Sequence, residues 1–491
     1  MPKLLLMLAE VIAIALLAVV SSSHFGLADG GRITAAYLVA YLVPRAVLTR
    51  AKGTSLTAVV ILLALSVFLM AISYVNLLEW TSVDGYSLEV PNVKNDARTY
   101  YKWALHHYDG RVGPQKIAFP GFPMMILALW RLLGVSVIWP QAMNIMFTLT
   151  AVVITGMTTR RLLINRCSLG PSALLACGMA LNCLLSFYLL SGISILKEGP
   201  LFLAIAIIGY SLASMSAADE ERQHLWRDII MFILACGIIA LVRTTFLYFI
   251  ALGVIIMALP RWRRDWVMAL AMLAIVAATM LIGNHFAYYS FDQHSRIVQG
   301  GLGMQKVYVD EAYNRHLRTL IGYYFLYSTW HKVLMLPVTM GLQFVIPFPW
   351  LNYGDDSIIF NEILRLNYGW YLVGGISLFY YLFMGWKRHD GMGLWPWWPA
   401  ASFMIIAYLM AGSVVRYVLP FEPLFIPVVL FVLCKLVDGN HRKAFKRWSI
   451  FFVITLATTL LVCLELQHTT ISRMLHTLPL AHYLKEYFLY L

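Results

Sequence analysis

The sequence predicts an all-α fold, a polytopic transmembrane helix bundle of about 13 spans with loops and interfacial helices at one face. Three observations lead there. Apolar residues make up 60% of the 491-residue chain against 12% charged, and mean hydropathy is +0.74, too apolar for a water-soluble chain of this length. The apolar residues fall in runs such as Ala58 to Met70 and Ile450 to Leu464 that are almost unbroken, whereas a membrane β-barrel requires alternation. Inside hydrocarbon each backbone amide must be satisfied within its own segment, so the spanning element is a helix.

Charge sets the expected orientation. The net charge of +13 is the excess of 37 Lys+Arg over 24 Asp+Glu, and the bases stand in short clusters between apolar runs. They are Arg45/Arg50/Lys52, Arg160/Arg161/Arg166, Arg222/Arg227, Arg261/Arg263/Arg264, Lys387/Arg388 and Arg442/Lys443/Lys446/Arg447. That spacing fits the positive-inside rule rather than a nucleic-acid surface, and it predicts a cytoplasmic N-terminus.

Taken in order, the opening run at 4–20 has the look of a signal peptide but is expected to remain as the first helix, because spans continue after it. Further spans are expected near 33–48 and 55–79, then, beyond a polar loop, near 139–157, 171–190 and 199–216. The stretch 229–259 has basic groups at both ends, so it is expected to cross twice, at 229–242 and 246–259, turning at Arg243-Thr244-Thr245. Spans near 267–283, 368–385, 394–411, 418–437 and 449–466 complete the set. Pro120 to Gly134 is too short to cross and carries Pro120 and Pro123, which suits an interfacial helix. Trp350, Trp395, Trp397 and Trp398 read as interfacial anchors. The whole chain, 1–491, reads as one transmembrane domain with outer loops at 80–138 and 284–367 and no separate soluble domain. Six scattered cysteines have no disulfide or ligand spacing.

Chemistry is expected in the loop from Thr81 to Phe119, which carries Asp84, Glu89, Asp96 and Asp109. Asp96, Tyr100 and Ala104 are spaced by four, on one face of a helix that starts near Asn95. Asp96 there is equally an ordinary helix-capping carboxylate. Arg243, inside an apolar run, costs about 2.5 to 3.5 kcal/mol on insertion scales unless it meets an anion or water. Pairing with Glu198 or Glu422 is the structural alternative to a ligand.

Four short motifs in this order resemble the GT-C superfamily of integral-membrane glycosyltransferases, which includes protein mannosyltransferases and aminoarabinose transferases. They are Asp-x-x-x-Tyr-x-x-x-Ala from Asp96, the proline-bearing FPGFPMMILALWRLLG ending at Gly134, SILKEGPLF from Ser194 to Phe202, and VVRYVLPFEPLF from Val414 to Phe425. The resemblance implies inverting transfer of a sugar from a polyprenyl-phosphate donor to a hydroxyl of a glycan, lipid or protein acceptor at the outer face. Short loops without glycosylation-dependent ornament suggest a bacterial inner membrane, which makes the outer face, and the active site, periplasmic. The chain departs from many members in having Asn95, not a second acid, before Asp96, with Asp84 well upstream.

The chemistry also follows from the residue types. An acceptor hydroxyl is a poor nucleophile at neutral pH and needs a placed carboxylate, for which Asp96 is the candidate base and Asp84 the second choice. A departing lipid phosphate needs fixed cations, for which Lys197, Arg243 and Arg416 are candidates. Glu198, Tyr100, Tyr417 and Asp84 are the remaining expected substrate-binding residues, around a cleft partly roofed by 284–331. His106 and His107 read as surface histidines, and a divalent metal is left open. Two other functions compete: a polysaccharide polymerase or ligase using polyprenyl-diphosphate glycans, and a transporter or flippase for a lipid-linked solute.

Overall fold

The computed structural model describes residues 2–51, 53–93, 95–110, 120–216, 225–259, 262–286, 370–385, 392–410, 418–437, 442–443 and 445–450. Among them there are helices, turns and loops and no strand.

The first helix, α1 (Pro2–Arg50), bends at Gly26, whose φ of 78° lies in the left-handed region that glycine tolerates. A straight helix would hold residues 35 apart roughly 50 Å from each other. Instead Arg45 Nε lies 3.1 Å from Glu10 Oε1, and the Tyr41 hydroxyl donates to the same carboxylate, so α1 is a hairpin of two antiparallel halves. The halves meet closely where a Cβ on Gly30 would fall 2.6 Å from the backbone of Ser22.

Helix α2 (Leu56–Thr81) is capped by Ser55 and runs up to the hairpin bend, where the Tyr74 hydroxyl donates to the Val20 carbonyl at 3.1 Å. Helices α3 (Asn95–Tyr108) and α4 (Gly121–Leu133) follow at this loop end of the bundle, and α5 (Ile138–Leu163) then descends. Near its start Gln141 donates to the Ser73 carbonyl at 3.2 Å, and at its far end Arg160 and Pro171 close on Gly53. The bundle therefore has a loop end and a basic end. Helix α5 is its hub, buried over most of its length and packed on α1, α2 and the helices that follow.

The chain climbs again through α6 (Pro171–Ala180), a 3-10 turn at Leu181–Leu184 and α7 (Ser186–Ile193), so the expected run 171–190 is helical but broken at Leu185 (φ −88°, ψ 60°). Helix α8 (Glu198–Ser216) descends, and α9 (Leu225–Arg243) rises beside it. At the basic end, Arg161 of α5 forms a buried ion pair of 2.9 Å with Asp228 of α9 and lies 4.4 Å over the ring of Tyr210 on α8.

At Arg243 the chain leaves α9, makes the 3-10 turn Thr244–Phe246 and continues as α10 (Leu247–Ala258). Two tryptophans pack against α10 and α8. Trp398 donates to the Phe249 carbonyl at 2.9 Å, and its neighbour Trp395 reaches Gly209, midway along α8. Helices α11 (Trp262–Phe286), α12 (Ile376–Gly385), α13 (Trp397–Met410) and α14 (Ile426–Val437) complete the described bundle, with a buried 3-10 segment, Leu419–Phe425, leading into α14.

Six stretches among the described residues are long and apolar enough to cross a membrane: Leu4–Arg50, Leu56–Thr81, Ile138–Leu163, Trp226–Ala258, Trp266–Gly283 and Leu419–Val437. The first is only 6% buried within its most apolar window, so most of its side chains face outward, as lipid-facing residues do. The expected loop 284–367 beyond Phe286, and the expected span 449–466 beyond Ile450, lie outside the described residues.

One expectation is corrected. Trp395 and Trp398 are fully buried, not interfacial, because main-chain carbonyls of Leu424 and Phe249 satisfy their indole N–H groups inside the bundle. Trp397 is 39% exposed, and Trp350 lies outside the described residues.

Candidate functional site

At the loop end, α3 and α4 form a helical pair, each with one apolar face. On α3 the inward face carries Tyr100, Tyr101, Trp103 and Ala104, with Arg98 and Lys102 outward; on α4 it carries Phe122, Ile126 and Trp130. Tyr100 meets Phe122 edge-on at 5.6 Å, and Tyr101 meets Trp130 at 4.7 Å. The Tyr101 hydroxyl donates to the Glu89 carbonyl at 2.7 Å, tying the preceding loop to α3. Burial, with the nearby Glu89 charge adding to it, pushes the Tyr101 phenol up, so it stays a neutral donor.

Asp96 sits in the first turn of α3, half-buried, where the positive end of the helix favours a carboxylate. One turn on, about 6 Å along the axis, is Tyr100. The Lys197 ammonium lies 6.0 Å from the centre of that ring. The structure thus joins two of the expected site residues, Tyr100 and Lys197, and places Asp96 one turn away from them.

Glu198, next to Lys197, is buried in the first turn of α8. Arg243 ends α9, where the negative helix terminus suits a cation, and its guanidinium lies 5.2 Å over Phe246. Its distance from α3 is set by α4: Gly121 lies so close to Leu241 that an added Cβ would fall 2.4 Å from the carbonyl oxygen. The start of α4 thus touches both the Tyr100 ring, through Phe122, and the end of α9, through Gly121.

Beneath these groups lies an aromatic floor. Phe246 stacks on Phe421 at 5.7 Å, Phe249 meets Phe421 at 5.6 Å, and Tyr188 stacks on Phe202 at 4.0 Å. Glu422, 2% exposed, is a buried carboxylate in the 3-10 segment that carries Phe421. A fixed cation, a carboxylate at a helix start and an apolar floor can bind an anionic headgroup and take a proton from a hydroxyl beside it.

The other expected site residues fare differently. Asp84 is exposed in the turn before Gly85. Arg416 and Tyr417, and with them one wall of the expected cleft, lie outside the described residues. His107 donates from Nδ1 to the Trp103 carbonyl (2.9 Å) and stacks on that indole. Among the described residues, no three His, Cys, Asp or Glu side chains are grouped to hold a metal ion.

Sequence reasoning passed over Asn144, a buried amide of α5 that hydrogen-bonds the turn ahead of Lys197. The signal was present, since Asn144 is a polar side chain inside an otherwise apolar run, and such groups seek partners inside a bundle. No protein family, no curated protein and no solved structure matches this chain.

Proposed function

We propose that the chain is an integral-membrane glycosyltransferase of GT-C type with about 13 spans, in a bacterial inner membrane. Its N-terminus is cytoplasmic and its loop end periplasmic, a reading supported by the six basic clusters. It moves a sugar, with inversion, from a polyprenyl-phosphate donor to a hydroxyl of a glycan, lipid or protein acceptor. The observation that carries this reading is the meeting of Lys197 with Tyr100 one helical turn from Asp96.

Asp96 accepts the acceptor proton as the hydroxyl oxygen bonds to the anomeric carbon. The bond from that carbon to the phosphate oxygen breaks, and polyprenyl phosphate leaves with its added negative charge. Lys197 and Arg243 hold that phosphate, joined by Arg416 and Tyr417, while Glu198 and Asp84 orient sugar and acceptor. The isoprenoid tail stays in the bilayer throughout.

Replacement Asp96→Asn, in protein shown to be folded and membrane-inserted, is the test. Loss of sugar transfer by about 10²-fold or more is expected of a removed general base; transfer at the parent rate overturns the assignment. One observation favours a second reading. Glu422 is a buried carboxylate in the 3-10 segment that opens the Leu419–Val437 stretch, and intramembrane acids are common on transport pathways. Solute movement in sealed vesicles without product formation would select the transporter instead.

A further inference from the structure

We infer that Asn144 is a positioning residue that sets the Lys197–Glu198 turn for binding a lipid phosphate, an inference that rests on Lys197 being the phosphate-binding cation. The turn has no regular secondary structure between the end of α7 at Ile193 and the start of α8 at Glu198. Its main chain therefore cannot be held by helix bonds alone. Asn144 supplies the missing restraint: its Nδ2 donates both to the Ser194 carbonyl and, at 2.8 Å, to the Leu196 carbonyl.

Two glycines complete the clamp. A Cβ on Gly192 would fall 2.1 Å from Thr148 Oγ1, and a Cβ on Gly199 would fall 2.5 Å from Asn144 Oδ1. Gly192 and Gly199 bracket the turn, while Asn144 and Thr148 stand one turn apart on the same face of α5. The turn is thus pressed onto α5 at both ends and hydrogen-bonded to it between them. Helix α5 is the buried hub of the bundle, so it transmits a fixed position to the Lys197 main chain. The side chain then needs to order little more than its own torsions to meet a phosphate. Asn144 is fully buried, so it acts through the turn without touching a ligand.

The experiment uses the full-length protein in phosphatidylcholine nanodiscs and measures affinity for polyprenyl monophosphate. The variants are Asn144→Leu, Asn144→Asp, Lys197→Gln and the double Asn144→Leu/Lys197→Gln. Tyr37→Phe, which removes the hydroxyl shared with Ser73 elsewhere in the core, controls for general loss of stability. Each Asn144 variant is expected to weaken binding by roughly tenfold, the scale of a lost pair of hydrogen bonds, and Tyr37→Phe to leave it unchanged. The double variant is expected to bind as Lys197→Gln does, because a turn without its cation has nothing left to position.

Parent-like binding in Asn144→Asp and Asn144→Leu, with Lys197→Gln weakened, overturns the positioning role and leaves the phosphate site standing. Multiplying losses in the double variant also overturn it. Parent-like binding in Lys197→Gln removes the phosphate reading itself, and the premise with it. Should Asn144→Leu fail to fold, the closely isosteric Asn144→Asp, which cannot donate to the two carbonyls, decides alone.

Discussion

The Lys197 ammonium stands over the Tyr100 ring at 6.0 Å, which fastens the loop helix α3 to the turn that opens α8. A cation over an aromatic face contributes about 0.5 to 1 kcal/mol at a partly exposed site. Tyr100→Phe keeps the ring and is expected to bind polyprenyl phosphate as the parent does. Tyr100→Leu is expected to bind about two- to fivefold more weakly, the same free energy expressed as affinity. Equal affinities for the two variants would show that the ring contact contributes nothing.

Gly121 is in backbone contact with Leu241, leaving no room for even one methyl group. Gly121→Ala is expected to cost about 1 to 3 kcal/mol through overpacking and to push α4 away from the end of α9. Thermal unfolding in detergent measures the first effect. Cross-linking between cysteines placed on α4 and α9 measures the second, and unchanged cross-linking would show that α9 yields instead.

The Arg161–Asp228 pair has side-chain exposures of only 5% and 3%. Removing one partner leaves a buried charge, so Asp228→Leu or Arg161→Met is expected to cost about 3 to 5 kcal/mol. The double replacement Arg161→Met/Asp228→Leu is expected to recover much of that loss. Failure of the double variant to improve on either single one would assign the effect to packing. Sugar transfer per folded molecule is expected to stay at the parent level in all three, because the pair sits at the basic end.

Tyr101 has a folded-state value raised above that of an unfolded tyrosine, near 10, so its contribution to stability is complete below about pH 10 and is lost as pH rises through the folded value. Tyr101→Phe gives up the bond to the Glu89 carbonyl, about 1 kcal/mol at neutral pH. Its stability is expected to fall less steeply than the parent's above pH 10. Parallel alkaline limbs in melting curves would remove Tyr101 from the account.

Hydropathy made most helices legible, because apolar runs in a bilayer have few alternatives to helix. The break at Arg243 was legible for a related reason: bases at both ends of 229–259 call for a turn between them. The Asp96–Tyr100–Ala104 face was readable from spacing by four, and α3 indeed buries Tyr100 and Ala104. The break at Leu185 was not, since neither it nor its neighbours Leu184 and Ser186 is a glycine or proline that would mark it. Trp395 and Trp398 misled for want of knowing their partners: the carbonyl that receives the Trp398 proton belongs to Phe249, 149 residues earlier. Asn144 stood out as a polar side chain in an apolar run, but its partners did not, the two carbonyls lying 50 and 52 residues downstream. Long-range hydrogen bonding leaves no local trace in composition.

The bend at Gly26 has a consequence for biogenesis. The bonds closing the α1 hairpin join residues 31 and 35 apart, so this pair of helices can zip together while the rest of the chain is still on the ribosome. Helix α13, whose anchoring indole must find α10, has to wait until nearly all of the chain has been synthesised. Assembly in the lipid thus proceeds from the α1 hairpin, whose closing contacts are near in sequence, toward the late docking of α13.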